Sequence, residues 1–231
     1  MELFIKSLLA IHVFAGFMSL ILFWIPIFLK KGSKNHVLIG KIYVALMWVV
    51  VISAAILSIK NLIIKDYISA AFLGFLTVIT ANPLWYGIAI LKNKRGLTPS
   101  YRRKHMTFNL LILIFGLLLF GYGIYLKGQG AGVLMLIFGT LGILTGRDIV
   151  VMYKNPKSKS DRIMEHITGM LVSGIAAYTA FLVFGGRSFL EGMFDGYLSI
   201  ILWVAPTVIG SIGIRFYKKK YQKKQTRTSE V

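Results

Sequence analysis

The sequence of 231 residues contains no cysteine. Disulfides, thiolate metal sites and cysteine nucleophiles are therefore excluded together. Charge is scarce as well, at 15% of residues against about 25% in soluble domains. Acidic side chains are the scarcest, 8 beside 27 basic ones. No polar stretch between the apolar runs is long enough for a soluble domain. There is no His-Glu-x-x-His, no His pair at i,i+4, and no glycine-rich turn followed by Lys-Ser/Thr after a strand, so zinc-protease and phosphate-loop chemistries have no support. With no recognisable catalytic motif, the sequence leans away from an enzyme.

What is present is hydrophobic. Apolar residues make up 56% of the chain and the mean hydropathy is +0.72. A helix needs about 20 mainly apolar residues to cross a bilayer. Seven stretches qualify, at roughly 3–29, 40–59, 67–91, 105–126, 131–152, 163–185 and 196–216. The predicted fold class is all-α, a polytopic membrane bundle of about seven transmembrane helices. It forms a single domain over 1–217 with a basic tail at 218–231, which is expected to be disordered or to lie on headgroups. The first stretch reads as a retained span and not as a signal peptide. Glu2 stands in its n-region, its apolar run is too long, and no small-x-small cleavage site follows.

The net charge of +19 would suggest nucleic acid in a soluble protein. Here the basic residues sit in the gaps between spans, so nucleic-acid binding is not expected. They set topology and meet anionic lipid headgroups on the cytoplasmic side of the cell membrane. Groups after spans one, three and seven, and around the five–six gap, include Lys30, Lys31, Arg102, Arg103, Arg147, Lys154, Lys218 and Lys220. Only Lys6, Lys60, Lys65, Lys127 and Arg187 fall on the other side. Because cytoplasmic loops are enriched in Lys and Arg, the N-terminus is expected outside and the C-terminus inside.

Local signals mark several helix ends and contact faces. Thr98 followed by Pro99 reads as an N-cap with proline at N1; Ser33 or Asn35 can cap span two, and Ser160 or Asp161 span six. Prolines inside spans fall at Pro26, Pro83 and Pro206, each removing a backbone donor. Ala81, Asn82 and Pro83 combine a break in the hydrogen-bond ladder with a buried amide, a pattern that lines solute sites in some transporters. The plainer alternative is an ordinary kink with the amide bonded locally. Gly132, Gly139, Gly142 and Gly146 in span five, with Gly116 and Gly123 in span four, read as close helix contacts. Span six carries a narrow face of His166, Gly169, Ser173, Ala177 and Ala180, which is expected to point into the protein.

The four histidines are the candidate chemistry, since imidazole ligates metals and moves protons near neutral pH. His36, His105 and His166 lie near the cytoplasmic starts of spans two, four and six, which run in the same direction. Three parallel helices thus place three imidazoles at a similar depth, with Asp148, Asp161 and Glu165 in the same layer. His12 is separate. It lies about 14 Å into span one from the outside, at 1.5 Å per residue, and can face Gly16 and Ser19.

Two segments resemble elements of a known family. His36, Gly40, Lys41 and Tyr43 form a His-x-x-x-Gly-Lys-x-Tyr element similar to one in an uncharacterised bacterial membrane-protein family, the "domain of unknown function 2306" type. His166 and Met170, followed by Ala176, Thr179, Ala180 and Phe181, resemble a later helix of that family. The Lys30-Lys31-Gly32 turn and His12 fit the same pattern, whereas Val37 stands where the family commonly shows arginine. The resemblance implies a polytopic bacterial membrane protein with positioned histidines, and it implies no activity.

Three readings follow. The first is a transition metal or haem b held by His36, His105 and His166, with Glu165 or Asp148 completing the set. The second is a transporter or lipid-interacting protein with a path lined by His12, Ser19, Asn82 and Asn109 along the kinked third span. The third is a structural or assembly protein in which the histidines only join helices or meet headgroups.

Overall fold

The computed structural model describes residues 2–93, 98–128, 131–146, 159–185 and 199–229. The elements are α1 (Glu2–Phe28), α2 (Lys34–Ile63), α3 (Tyr67–Lys92), α4 (Pro99–Tyr125), α5 (Ala131–Gly146), α6 (Lys159–Ala180) and α7 (Ser199–Ser229). A π-helical turn, Phe181–Gly185, continues α6. The chain is all-α among the described residues. Five helices, α1 to α4 and α6, are long and apolar enough to cross a membrane, so the protein is a multi-pass membrane protein. α5 is shorter as described, and the end expected for that span, 147–152, lies outside the described residues.

Helix boundaries follow the local chemistry. Ser33 caps α2, its side chain accepting from the backbone N–H of His36 at 3.2 Å. Thr98 and Pro99 open α4 as expected, although Thr98 caps with its backbone alone. Asp66, not singled out from sequence, caps α3 by accepting from the Ser69 N–H at 3.2 Å. α2 and α4 begin several residues before their apolar runs because the polar first turns are themselves helical. α7 continues through the basic segment as far as Ser229, so that segment is helical and not disordered. Pro26, Pro83 and Pro206 all sit within continuous helices.

In lipid, helices associate through close packing and hydrogen bonds, not through a hydrophobic drive between them. The principal pairings are α1 with α2, α2 with α3, α3 with α4 and α6, α4 with α5, and α6 with α7. α4 and α5 meet backbone to backbone. A side chain at Gly139 would run into the Phe120 backbone, its Cβ 2.5 Å from the amide nitrogen, and one at Gly116 would lie 2.8 Å from the Gly142 Cα. Phe72, Phe75, Phe138 and Trp203 interlock edge to face across α3, α5 and α7, with centroids 5.0–5.9 Å apart for the Phe75–Phe138 and Phe138–Trp203 pairs. The opposite faces carry bare apolar side chains, among them Leu3, Phe14, Leu118 and Ile209. Such faces suit acyl chains and would be untenable in water.

Candidate functional site

α6 places its small face inward, as its spacing indicates. Gly169 packs against α3, where an added Cβ would lie 2.6 Å from the Pro83 carbonyl, and Gly174 lies against the Phe23 ring. This approach brings His166 within reach of the α3 backbone, and its Nδ1 lies 2.8 Å from the Gly87 carbonyl oxygen. A carbonyl only accepts, so His166 Nδ1 carries the hydrogen and the Nε2 lone pair is left available. His36 is held in the same way. Its Nδ1 lies 3.1 Å from the carbonyl of Pro26, near the end of α1. His36 and His166 are also close enough to interact electrostatically. Two imidazoles on different helices thus share one end of the bundle, each with Nε2 free to accept.

His105 belongs to another interface and another tautomer. It is 5% exposed, and its ring meets Tyr86 edge on at a centroid distance of 4.2 Å. The amide nitrogen of Asn109 lies 2.9 Å from the His105 carbonyl and 2.6 Å from His105 Nδ1. Only a donor can approach that carbonyl, which fixes the Asn109 amide orientation and makes Nδ1 an acceptor. The hydrogen of neutral His105 is therefore on Nε2, which removes that atom as a ligand. The fixed Asn109 amide then presents Oδ1 to Asn82, whose Nδ2 donates to it at 2.9 Å. Asn82 is thus bonded across helices and not locally. Its buried Oδ1 has no described partner, and turning the amide over would set oxygen against oxygen.

His12 pairs with a residue that the sequence reading passed over. Ser53 Oγ donates to the Val49 carbonyl at 2.6 Å, so it accepts from His12 Nδ1 at 2.7 Å. Ser53 is a solitary small polar side chain in an apolar stretch of α2, which is the signal that marks it. Ser19 donates to its own helix, to the Ala15 carbonyl at 2.8 Å, and not to the imidazole. Tyr43 and Tyr178 were also missed as interface residues. Tyr43 donates to Ser173 at 3.0 Å and Tyr178 to the Leu20 carbonyl at 2.8 Å. Both are buried at least in part, and each joins α6 to a neighbouring helix.

The structure therefore divides the candidates. His36 and His166 lie within electrostatic reach of one another, His105 joins Asn109 and Asn82, and His12 joins Ser53. Glu165 is within electrostatic reach of Tyr86 on α3, and Asp148 lies outside the described residues. Among the described residues, no group of three or more His, Asp or Glu side chains is disposed to hold a metal ion. Neither family models, curated proteins nor solved structures provide a match to this chain.

Proposed function

We propose that this membrane protein binds a transition metal or haem b through His36 and His166, at the end of the bundle carrying the basic loops. The carrying observation is that both Nδ1 atoms rest on backbone carbonyls of neighbouring helices. Metal-bound histidines usually donate their second ring N–H to a carbonyl or carboxylate, which fixes the tautomer and the direction of the ligating nitrogen. Two imidazoles suffice for the axial positions of a haem, and a bare metal ion requires further ligands. His105 is left out because its tautomer is the reverse.

The test is cofactor content of protein purified from cells supplied with iron and haem precursor. His36→Gln and His166→Gln retain an N–H donor for the carbonyl and lose the ligating nitrogen. Both should lose the Soret absorbance or the bound metal, and His105→Gln should retain it. Equal content in all four proteins would sink the proposal.

A second reading, a solute path along α3, is favoured by the unsatisfied acceptor Asn82 Oδ1 beside Pro83. Uptake into vesicles that is abolished by Asn82→Leu and left intact by His36→Gln would select it over the cofactor reading.

A further inference from the structure

The end of α1 gathers positive groups from distant parts of the chain. Lys31 Nζ donates to the Pro26 carbonyl at 2.8 Å and to the Ile27 carbonyl at 2.7 Å. His36 shares the Pro26 carbonyl. The last carbonyls of a helix have no intrahelical donors, so this much is accounted for as a cap on α1. Capping leaves two things unexplained. One of the three ammonium hydrogens of Lys31 remains for another acceptor. In addition, α7 brings Tyr217 to Lys31, with Nζ 5.6 Å from the ring centroid, and then Lys220.

Partial burial, and after it the charge of Lys220, hold Lys31 below the usual lysine range. Tyr217 and Lys220 are three residues apart on α7, so the contact at Tyr217 brings the charge of Lys220 within electrostatic reach of Lys31, far from it in sequence. Such an arrangement is unfavourable alone and is relieved by an anion between them. The surroundings indicate which anion. Lys31 lies in the gap between two spans, at headgroup level. Phe28, 81% exposed, and Phe216, 62% exposed, offer apolar rings at the same ends of α1 and α7.

We infer that Lys31, Lys220 and Tyr217 bind the phosphate of an anionic phospholipid headgroup, with Phe28 and Phe216 against its acyl chains. The ligand chemistry is a phosphate diester, and the apolar flanks assign it to a lipid and not to free phosphate. A basic side chain near a membrane surface contributes about 1 kcal/mol toward an anionic lipid, a factor of about five.

The experiment uses the full-length protein in mild detergent, titrated with phosphatidylglycerol or phosphatidylcholine and read by native mass spectrometry. Phosphatidylglycerol should bind at least about fivefold more tightly. Lys220→Gln should remove about fivefold of that preference; Lys220 is exposed and holds no helix end, so loss of fold does not enter. Lys41→Gln, an exposed lysine inside α2, should leave the preference unchanged. Equal binding of the two lipids would overturn the inference, as would equal losses in the Lys220 and Lys41 variants. Inorganic phosphate at millimolar concentration should fail to displace the lipid; full displacement would assign the site to a free anion and overturn the lipid assignment.

Discussion

Asn109 stands at the centre of a chain of three polar side chains in which the direction of each hydrogen bond is determined. It donates to His105 and accepts from Asn82, and both neighbours depend on it. Asn109→Leu leaves Asn82 Nδ2 and His105 Nδ1 without partners in an apolar setting. Each orphaned group costs about 1–3 kcal/mol, so a loss of about 2–6 kcal/mol is expected. Asn82→Leu removes one donor to Asn109 Oδ1 but also removes the oxygen that is already unsatisfied, so its net cost should be below about 1 kcal/mol. Thermal unfolding of the two variants in detergent measures the difference, and an equal loss would contradict the assigned bond directions. The tautomers have a related consequence. Nitrogen-15 NMR of selectively labelled protein should show His12, His36 and His166 protonated at Nδ1 and His105 at Nε2.

At the scale of elements, the α4–α5 contact depends on glycine because backbone faces backbone. Gly139→Val places a Cβ where the Phe120 main chain stands and two methyl carbons beyond it, and neither helix can yield without parting. Overpacking of this kind costs about 1–3 kcal/mol, occasionally more, and separation of α4 from α5 should appear as an earlier unfolding step. Gly121→Ala meets nothing within 4 Å and should be neutral or slightly stabilising. The cap of α3 makes a pH-dependent contribution. Hydrogen bonds from the Ser69 side chain and then its backbone N–H hold the Asp66 carboxyl below the usual range. The folded value therefore lies below the unfolded one, so the stabilisation is complete above the unfolded value. It is lost as pH falls through the folded one. Asp66→Asn keeps an acceptor without a titration, and its unfolding temperature should vary less with pH below about 4.

For the whole molecule, insertion decides which face of the membrane holds the His36–His166 end. The distribution of basic residues leads to the expectation that it faces the cytoplasm; that expectation concerns insertion, which helix packing alone leaves undetermined. A reporter fused after the C-terminus should be active only as a cytoplasmic enzyme, and one placed within 187–195 only as an external one. An externally reactive C-terminus would reverse the orientation and carry the imidazole pair and the Lys31 cluster to the other face. The proposed lipid also bears on the cofactor. An anion at Lys31 and Lys220 would offset their repulsion of a metal at the adjoining imidazoles, so phosphatidylglycerol should raise cofactor retention in purified protein.

By itself the sequence determined that this is an all-α membrane protein. It also placed the helices, the caps at Ser33 and Thr98, and the glycine seam between spans four and five. These features are local or periodic, and each is written in a short window of residues. The His105–Asn109 contact was legible for the same reason, because residues four apart share a helix face. Sequence could not show which histidines meet. The sequence predicts a similar depth for His36, His105 and His166, but depth is one coordinate, and packing around the bundle supplies the others. The structure sends His105 to α3 through Asn82, ties His166 to the Gly87 carbonyl and ties His36 to Pro26. It also brings Lys31 over the Tyr217 ring and within electrostatic reach of Lys220, which no spacing rule encodes. Tertiary structure decided these matters because a histidine's chemistry depends on which ring nitrogen has a donor's task, and only the partner helix determines that.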